Sequence, residues 1–578
     1  MTVKTFSQLI KNQKSKSGLL VIRVAILGDS ATQFLSQALR GLGLDRGFDL
    51  QIWEADYNQI ERQVFDPGSE LYGFKPQIVI VFQSTHKLLG KYNKLEEEER
   101  ARFAELQAGQ IERIHETIYG NLKTNVVFYN FPEIDDSVFG SCSNKMEISF
   151  LFQLRNLNVK LMSLASRASS FHLCDLSTIQ NRVGKGAMFQ SSIYVNTDMV
   201  LTIDILPAVA KRTLDVVAAM QGKGIKCIVL DLDNTLWGGV IGDDGIENIQ
   251  LGTYGIGKAY TEFQYWIKKL KDRGIILAVC SKNTESVAKE PFEKHPDMVL
   301  RLCDIALFVA NWENKVDNIR RIQQTLNIGF DSMVFLDDSL FERNMVRENI
   351  QGITVPELPE DPADYLEHLY VLNLFETATY SNEDTKRTAL YHVEAQRKED
   401  QEKFANEDDF LESLNMVSTV EPFTKFNIPR VAQLSQRSNQ FNLRTVRYSE
   451  ADIAEISLSS THFGFSFTLE DKFGDNGIIC AVILKKEDKN ALFVDTWFMS
   501  CRVLMRGMEN FVLNTLVEFA QQKGYLLVIG EYLPTLKNNM VENHYPNLGF
   551  GLVGGLWELD VRTYSTRRTF VKRKLNQG

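Results

Sequence analysis

Apolar, β-branched runs alternate with amphipathic stretches along the chain, and their spacing predicts three blocks. Val21–Leu27 is an apolar run leading into Gly28-Asp29-Ser30-Ala31 and then an apolar-periodic stretch from Thr32 to Leu42, which reads as strand, turn and helix. Gln77–Phe82 and Asn125–Phe131 are short apolar runs of the kind buried on both faces of a parallel sheet. Between them, Lys94–Ile118 is charged and evenly mixed, which predicts a solvent-facing helix. Strands alternating with helices predict a doubly wound α/β domain over residues 1–218.

Gly222 and Gly224 introduce a second block. Its apolar runs Cys227–Leu230, Ile275–Cys280, Ile305–Ala310 and Ser332–Leu336 are each separated by a helix-sized interval, predicting a second parallel α/β domain over 222–375. Dense charge with helical periodicity from Thr377 to Leu414 reads as a connector and the first helix of a third domain, 376–578. There, Gly477–Lys485 and Leu492–Met499 flank the polar turn Lys486–Asn490, a hairpin pattern. A helix (Gly507–Gln522), a strand (Leu526–Glu531) and a polar helix (Leu536–Asn547) are expected to follow.

Composition narrows the function classes. A chain of 578 residues exceeds one hydrophobic core, and 44% apolar with 24% charged residues is ordinary for a globular protein. No apolar run approaches the roughly 20 residues that span a bilayer, and the N-terminus lacks the apolar core of a signal peptide, so no membrane association is expected. Seven scattered cysteines without a Cys-x-x-Cys pair support neither a disulfide framework nor a zinc site, and point to a reduced, cytoplasmic setting. The net charge of −10 counts against general nucleic-acid binding.

The most informative string is Ile228-Val-Leu-Asp231-Leu-Asp233-Asn234-Thr235-Leu236-Trp237. Its two aspartates emerge at the carboxyl end of a buried strand, where open α/β sheets bind ligands, and neighbouring carboxylates call for a compensating cation. Hard oxygen ligands at a phosphate site suggest Mg²⁺; the bland alternative is a polar turn after a strand. Ser281 closes a later strand, Lys315 lies in Asn311-Trp-Glu-Asn-Lys, and Asp337-Asp338 follow Val334-Phe-Leu. Together these resemble, in type, order and rough spacing, motifs I to IV of the haloacid dehalogenase (HAD) superfamily. The resemblance implies that Asp231 attacks phosphorus and that Asp233 acts as acid and base. Asn234, Thr235, Ser281, Lys282 and Lys315 would hold phosphoryl oxygens. Asp231, Asp233 (through its carbonyl), Asp337 and Asp338 would surround the metal. The intervals between motifs leave no room for a large cap, so this is expected to be a Rossmannoid domain with an open site or one covered by another domain.

The continuation Leu232-Asp-Asn-Thr-Leu-Trp-Gly-Gly-Val-Ile-Gly-Asp-Asp-Gly resembles the FkbH family of HAD subfamily IIIC, as do Arg430–Arg447 and Asp495-Thr-Trp497-Phe-Met-Ser-Cys501-Arg502-Val-Leu. The resemblance implies a three-part enzyme that dephosphorylates a small phosphorylated acyl donor such as 1,3-bisphosphoglycerate and loads the acyl group onto the phosphopantetheine thiol of an acyl carrier protein. A stand-alone phosphatase, with the third domain as lid, is the other reading. The third domain is similar to the α+β GNAT acyltransferases: Leu492–Met499, a loop and a helix from Gly507 match the pantetheine-pyrophosphate site, although Met505 stands where a glycine is usual. Asn543–Phe550, with Tyr545, resembles that family's closing motif.

Cys501, flanked by Arg502 and Arg506, is the candidate thioester carrier, against the alternative of a small core residue. Asn439, Asn442 and Trp497 are candidates for an acyl or pantetheine site, although such amides also satisfy backbone groups between strands. His544 is expected to be structural. Arg430, Arg437, Arg444 and Arg447 form the candidate basic patch for an acidic carrier protein, or else a solvated face. Gly28-Asp29-Ser30, with Asn130, resembles the SGNH hydrolases, but Asp175 is followed by Leu-Ser-Thr instead of the expected Asp-x-x-His, so Ser30 lacks a base.

Overall fold

The computed structural model describes residues 4–11, 18–380, 384–488, 490–500, 503–504, 506–535 and 537–574. The chain divides into two compact units, Met1–Ala219 and Met220–Gly578.

The first unit holds five parallel strands: β1 (Leu20–Gly28), β2 (Phe48–Glu54), β3 (Ile78–Phe82), β4 (Asn125–Tyr129) and β5 (Phe171–Cys174), in the order β2-β1-β3-β4-β5. The central β3 is wholly buried, as a run of five apolar residues covered on both faces must be. The helix expected over Lys94–Ile118 forms mainly as Phe103–Leu122, and it is not a free surface helix. Phe103, Ile111, Ile114 and Ile118 form a buried stripe at helical spacing against the sheet.

The second unit carries two sheets. The first is fully parallel: β6 (Cys227–Leu230), β7 (Ile276–Ser281), β8 (Ile305–Ala310) and β9 (Met333–Leu336), ordered β8-β7-β6-β9. Every residue of β6, β7 and β9 is buried. Their polar termini are therefore pushed out together at the carboxyl edge.

The other sheet is mixed, α+β in character. Its strands are β10 (Val417–Ser418), β11 (Val420–Pro422), β12 (His462–Asp471), β13 (Gly474–Glu487), β14 (Ala491–Met499), β15 (Leu527–Gly530), β16 (Gly551–Val553), β17 (Leu556–Asp560) and β18 (Lys572–Arg573). β12, β13 and β14 form an antiparallel meander, and the helix Met508–Lys523 crosses over to β15, parallel to β14. That pairing stops at Val494 against Gly530. Beyond it, Phe441–Leu443 covers the second half of β14: Leu443 donates from its amide to the Trp497 carbonyl (3.2 Å), and Met499 donates to that of Phe441 (3.0 Å).

The polar helix expected over Leu536–Asn547 is broken into a 3₁₀ turn, Asn539–Val541, and one short turn, His544–Asn547, with Leu536 outside the described residues. Pro546 has no amide N–H to bond back to Glu542 and extend the turn towards Val541, and Asn538 captures the Thr535 amide (2.7 Å). Among the described residues, no helix is long and apolar enough to cross a membrane.

Candidate active site

Three strand or loop ends of the parallel sheet in the second unit bring their side chains together. Asp231 leaves β6 with its amide bonded to the Leu336 carbonyl of β9 (3.0 Å), so the ladder fixes where its carboxylate emerges. Lys315 is the first residue of the helix Lys315–Leu326, which Asn314 caps through the Asp317 amide (2.8 Å). Its Nζ bridges Asp231 Oδ1 (2.8 Å) and Asp337 Oδ2 (2.6 Å). Asp337 and Asp338 follow β9, and the Ser339 amide donates to Asp337 Oδ1 (2.9 Å). One carboxylate oxygen from each of Asp231, Asp337 and Asp338 lies within 4.8 Å of the others.

Three carboxylates face one ammonium group here, and the titration of the site records the imbalance. Burial, and then the charge of Asp231, push the Asp337 carboxyl up to about 7 against the pull of Lys315. Asp338 is raised for the same two reasons. Burial pulls Lys315 the other way, but Asp231 and Asp337 together hold it protonated well above the ordinary lysine range. A divalent cation fits this donor set: hard oxygens, a surplus of negative charge, and a lysine that neutralises only part of it.

Asp233 is turned to the flap. Its Oδ1 accepts from Trp237 Nε1 and the Ile241 amide, and its Oδ2 from Asn283 Nδ2, all at 3.0 Å. Burial first, and then the nearby Asp231, raise its pKa. Between the two aspartates and the flap, Asn234 adopts φ +53°, a left-handed geometry that asparagine tolerates, and accepts from the Gly239 amide (2.9 Å). Gly239 itself sits at φ +93°, with the Asp244 carboxylate where a Cβ would point, so only glycine closes this turn.

The remaining expected phosphate ligands are placed as follows. Thr235 is fully buried, and its hydroxyl accepts from the Asp338 amide (3.1 Å), tying the two acidic loops together. Ser281 is buried at the end of β7, and Lys282 pairs with Glu342 (2.6 Å). Two further residues matter that the sequence reading did not name. Asn283 holds Asp233, and buried Arg343 donates to the carbonyls of Asp337 (2.7 Å) and Asp338 (2.6 Å), fixing the metal-side loop. The polar Ser-Lys-Asn after β7 was the available signal for Asn283; Arg343 gave none.

In the third block, Cys501, Arg502 and Met505 lie outside the described residues. Arg506 is buried, and its guanidinium is committed to Glu394 and Asp471 (3.1 Å) beside Arg397. Gly507 precedes the helix at φ +71°. Asn442 is fully buried and serves the backbone, accepting from the Thr445 amide (2.8 Å), while Asn439 donates to the Gly222 carbonyl (3.1 Å). Trp497, Tyr545 and His544 share a buried aromatic cluster, in which burial takes His544 down to about 3. Three of the four arginines in the series are committed within the fold, and Arg430 donates to Gln433 (2.5 Å). Arg437 is paired with Asp384, Arg444 with Asp495 (2.7 Å) and Glu531 (2.8 Å), and Arg447 with the carbonyl of Ser438 (3.0 Å) and Asn439.

In the first unit, Ser30 is fully buried, and Asp29 accepts from the Ser84 amide (2.9 Å) with its carboxyl raised to about 6 by burial. Asn130 donates to Asp175 (2.7 Å), which caps the helix Leu176–Val183 through Thr178.

The profile of the family described as FkbH, N-terminal domain, matches residues 23–218. Among solved structures, the N-terminal part of a Bacteroides fragilis protein, containing a phosphatase domain and complexed with Mg, is 54% identical, covers 65% of this chain and 100% of its own, and has a TM-score of 0.63. The ribosomal-protein-S18-alanine N-acetyltransferase of Escherichia coli matches 25% of this chain and 94% of its own at 14% identity, with a TM-score of 0.20, too remote to support a functional reading. No curated protein matches the chain.

Proposed function

The chain belongs to the FkbH-like family, and we propose on that footing that residues 222–375 are a HAD-type, Mg²⁺-dependent phosphatase and residues 376–578 the part that handles an acyl thioester. The observation that carries the first half is the convergence of Asp231, Asp337 and Asp338 on one another with Lys315 between them. In this reading Asp231 attacks phosphorus, and the bond from phosphorus to the leaving oxygen breaks as the aspartyl-phosphate forms. Asp233, whose pKa burial raises, gives a proton to the leaving oxygen and then takes one from the water that releases phosphate. Lys315 and the buried Ser281 hold the phosphoryl oxygens. Asp231, Asp337, Asp338 and the Asp233 carbonyl would hold Mg²⁺, which when bound supplies charge neutralisation at the phosphoryl group.

The substrate proposed is a small phosphorylated acyl donor such as 1,3-bisphosphoglycerate. A thiol sulfur takes its acyl carbon as the acyl-bound phosphate leaves that carbon. Asp231 acts on the remaining phosphate ester, whose hydroxyl oxygen is the leaving group, and the acyl group passes from the first sulfur to the phosphopantetheine thiol of an acyl carrier protein. Family membership supports this second half. The lid alternative fares worse, because the third block meets the phosphatase sheet at the amino ends of its strands. There Lys226, just before β6, donates to the Arg437 carbonyl (3.4 Å), and Asn439 to that of Gly222 (3.1 Å). At the carboxyl end Trp312 and Phe341 remain 74% and 67% exposed.

The test is twofold. Release of the ester phosphate is expected to require Mg²⁺ and to stop with EDTA, and the intact mass of a holo carrier is expected to rise by the acyl group. Metal-independent release refutes the first half, and an unchanged carrier mass the second.

A further inference from the structure

Within the second unit a cavity of about 620 Å³ lies at the opposite end of the phosphatase sheet from Asp231. On one side it is walled by Lys226, Ile276 and Ser332, at the amino ends of β6, β7 and β9. On the other side are the helix Ile428–Arg437, the start of β13 and Met499–Ser500 at the end of β14. The size is that of a site for a small organic ligand, and such sites favour domain boundaries.

Six cationic side chains line it (Lys226, Lys386, Arg387, Arg430, Arg437 and Lys537) against two acids, Asp331 and Asp475. Asp331 is paired with Lys537, and neighbouring Asp384 with Arg437 and Arg387; six cations against these three acids leave the surroundings net positive. Asn476 lines the same cavity at 6% exposure, and among the described residues its Nδ2 has no hydrogen-bond partner. A buried amide donor without an acceptor is costly unless something with oxygens comes to it. Two neighbouring cations feel this charge: burial and then Lys537 bring Lys223 down to about 8, and burial and then Arg387 bring Arg437 down to about 10. Leu434, Phe441 and Met499 give the rest of the wall an apolar face.

We propose that this cavity binds a phosphate monoester carried on a short, flexible organic body, with Lys386, Arg430 and the Asn476 amide facing its oxygens. Guanidinium, ammonium and amide donors suit phosphate, and the apolar wall suits the carbon chain. The ligand chemistry is shared by a free phosphorylated acid and by free 4′-phosphopantetheine. It would be a second phosphate site, separate from the one at Asp231. The site's charge stands on the geometry alone, while choosing between these two bodies rests on the acyl-handling reading above.

The experiment is isothermal titration of the full chain, in EDTA, with 3-phosphoglycerate and with 4′-phosphopantetheine. The same titrations are run on Lys386→Glu, whose side chain is exposed and should not disturb folding, and on Asn476→Leu. Binding of at least one compound, weakened about ten-fold or more in both variants, is expected, and the tighter compound identifies the source. No binding of either compound at millimolar concentration, or wild-type affinity in both variants, overturns the proposal. Failure of the phosphatase reading would appear elsewhere, as absent Mg²⁺-dependent phosphate release, and would leave these titrations intact.

Discussion

Two parallel sheets in this chain end their first buried strand with an aspartate, and only one of them builds a charged site there. In the first unit Asp29 follows β1, accepts from a backbone amide, and has burial as the dominant influence on its carboxyl. In the second, Asp231 follows β6 and meets Lys315, Asp337 and Asp338, delivered by the loops after β8 and β9. The topology is the same in kind. What differs is whether neighbouring strand ends supply a cation and further acids, so the chemistry lies in the juxtaposition of ends and not in the strand-turn-helix pattern.

The comparison can be broken most forcefully at the nucleophile. Asp231→Asn is expected to lower Mg²⁺-dependent phosphate release by at least about 10³-fold, measured by steady-state kinetics, because no other group forms the covalent intermediate. Lys315→Met should cost about 10²–10³-fold in turnover. It should also lower the stability of the second unit by about 3–5 kcal/mol in denaturant unfolding, since Asp231 and Asp337 would be left buried without their counter-charge. A Lys315→Met protein as stable and active as wild type would remove the distinction between the two sheet ends.

At the other sheet the effects are smaller and of opposite sign. The folded-state pKa of Asp29 is raised to about 6, so the folded chain binds a proton more readily than the unfolded one, and its stability declines as pH rises from about 4 through 6. Asp29→Asn is therefore expected to slow hydrogen exchange across Leu20–Gly28 at pH 8, by up to the equivalent of about 2–3 kcal/mol, and to do little at pH 4. Smallest of all, Ser30→Ala should change phosphate release less than two-fold, by the same assay that registers the loss in Asp231→Asn. A large loss would mean that the first unit shares in the chemistry.

How far the sequence revealed this site follows from the range of the interactions. Cys227–Leu230 is an unbroken apolar run that ends in acids, so both the strand and the emergence of Asp231 can be read locally, and Asp337-Asp338 repeat the pattern. Alternating strands such as β2 and β12 were passed over because their inward apolar positions are diluted by outward polar ones, as in Phe-Asp-Leu-Gln-Ile-Trp-Glu. Arg437 and Arg444 read as part of a patch because their partners are remote in sequence. Asp384 lies 53 positions from Arg437, and Glu531 lies 87 from Arg444. Arg506 was assigned to an anionic ligand for the same reason, when Glu394, 112 positions away, already holds it. Charge shows in a sequence, but its neutralisation shows only after folding.

The central claim is a transient bond between Asp231 and phosphorus. Full-length protein mixed with the phosphorylated donor and Mg²⁺, quenched in acid within milliseconds, reduced with borohydride and digested, should yield a peptide carrying homoserine at position 231, and none when EDTA replaces the metal. Rapid phosphate release with residue 231 unmodified, or with the reduced aspartate at another position, would contradict the account.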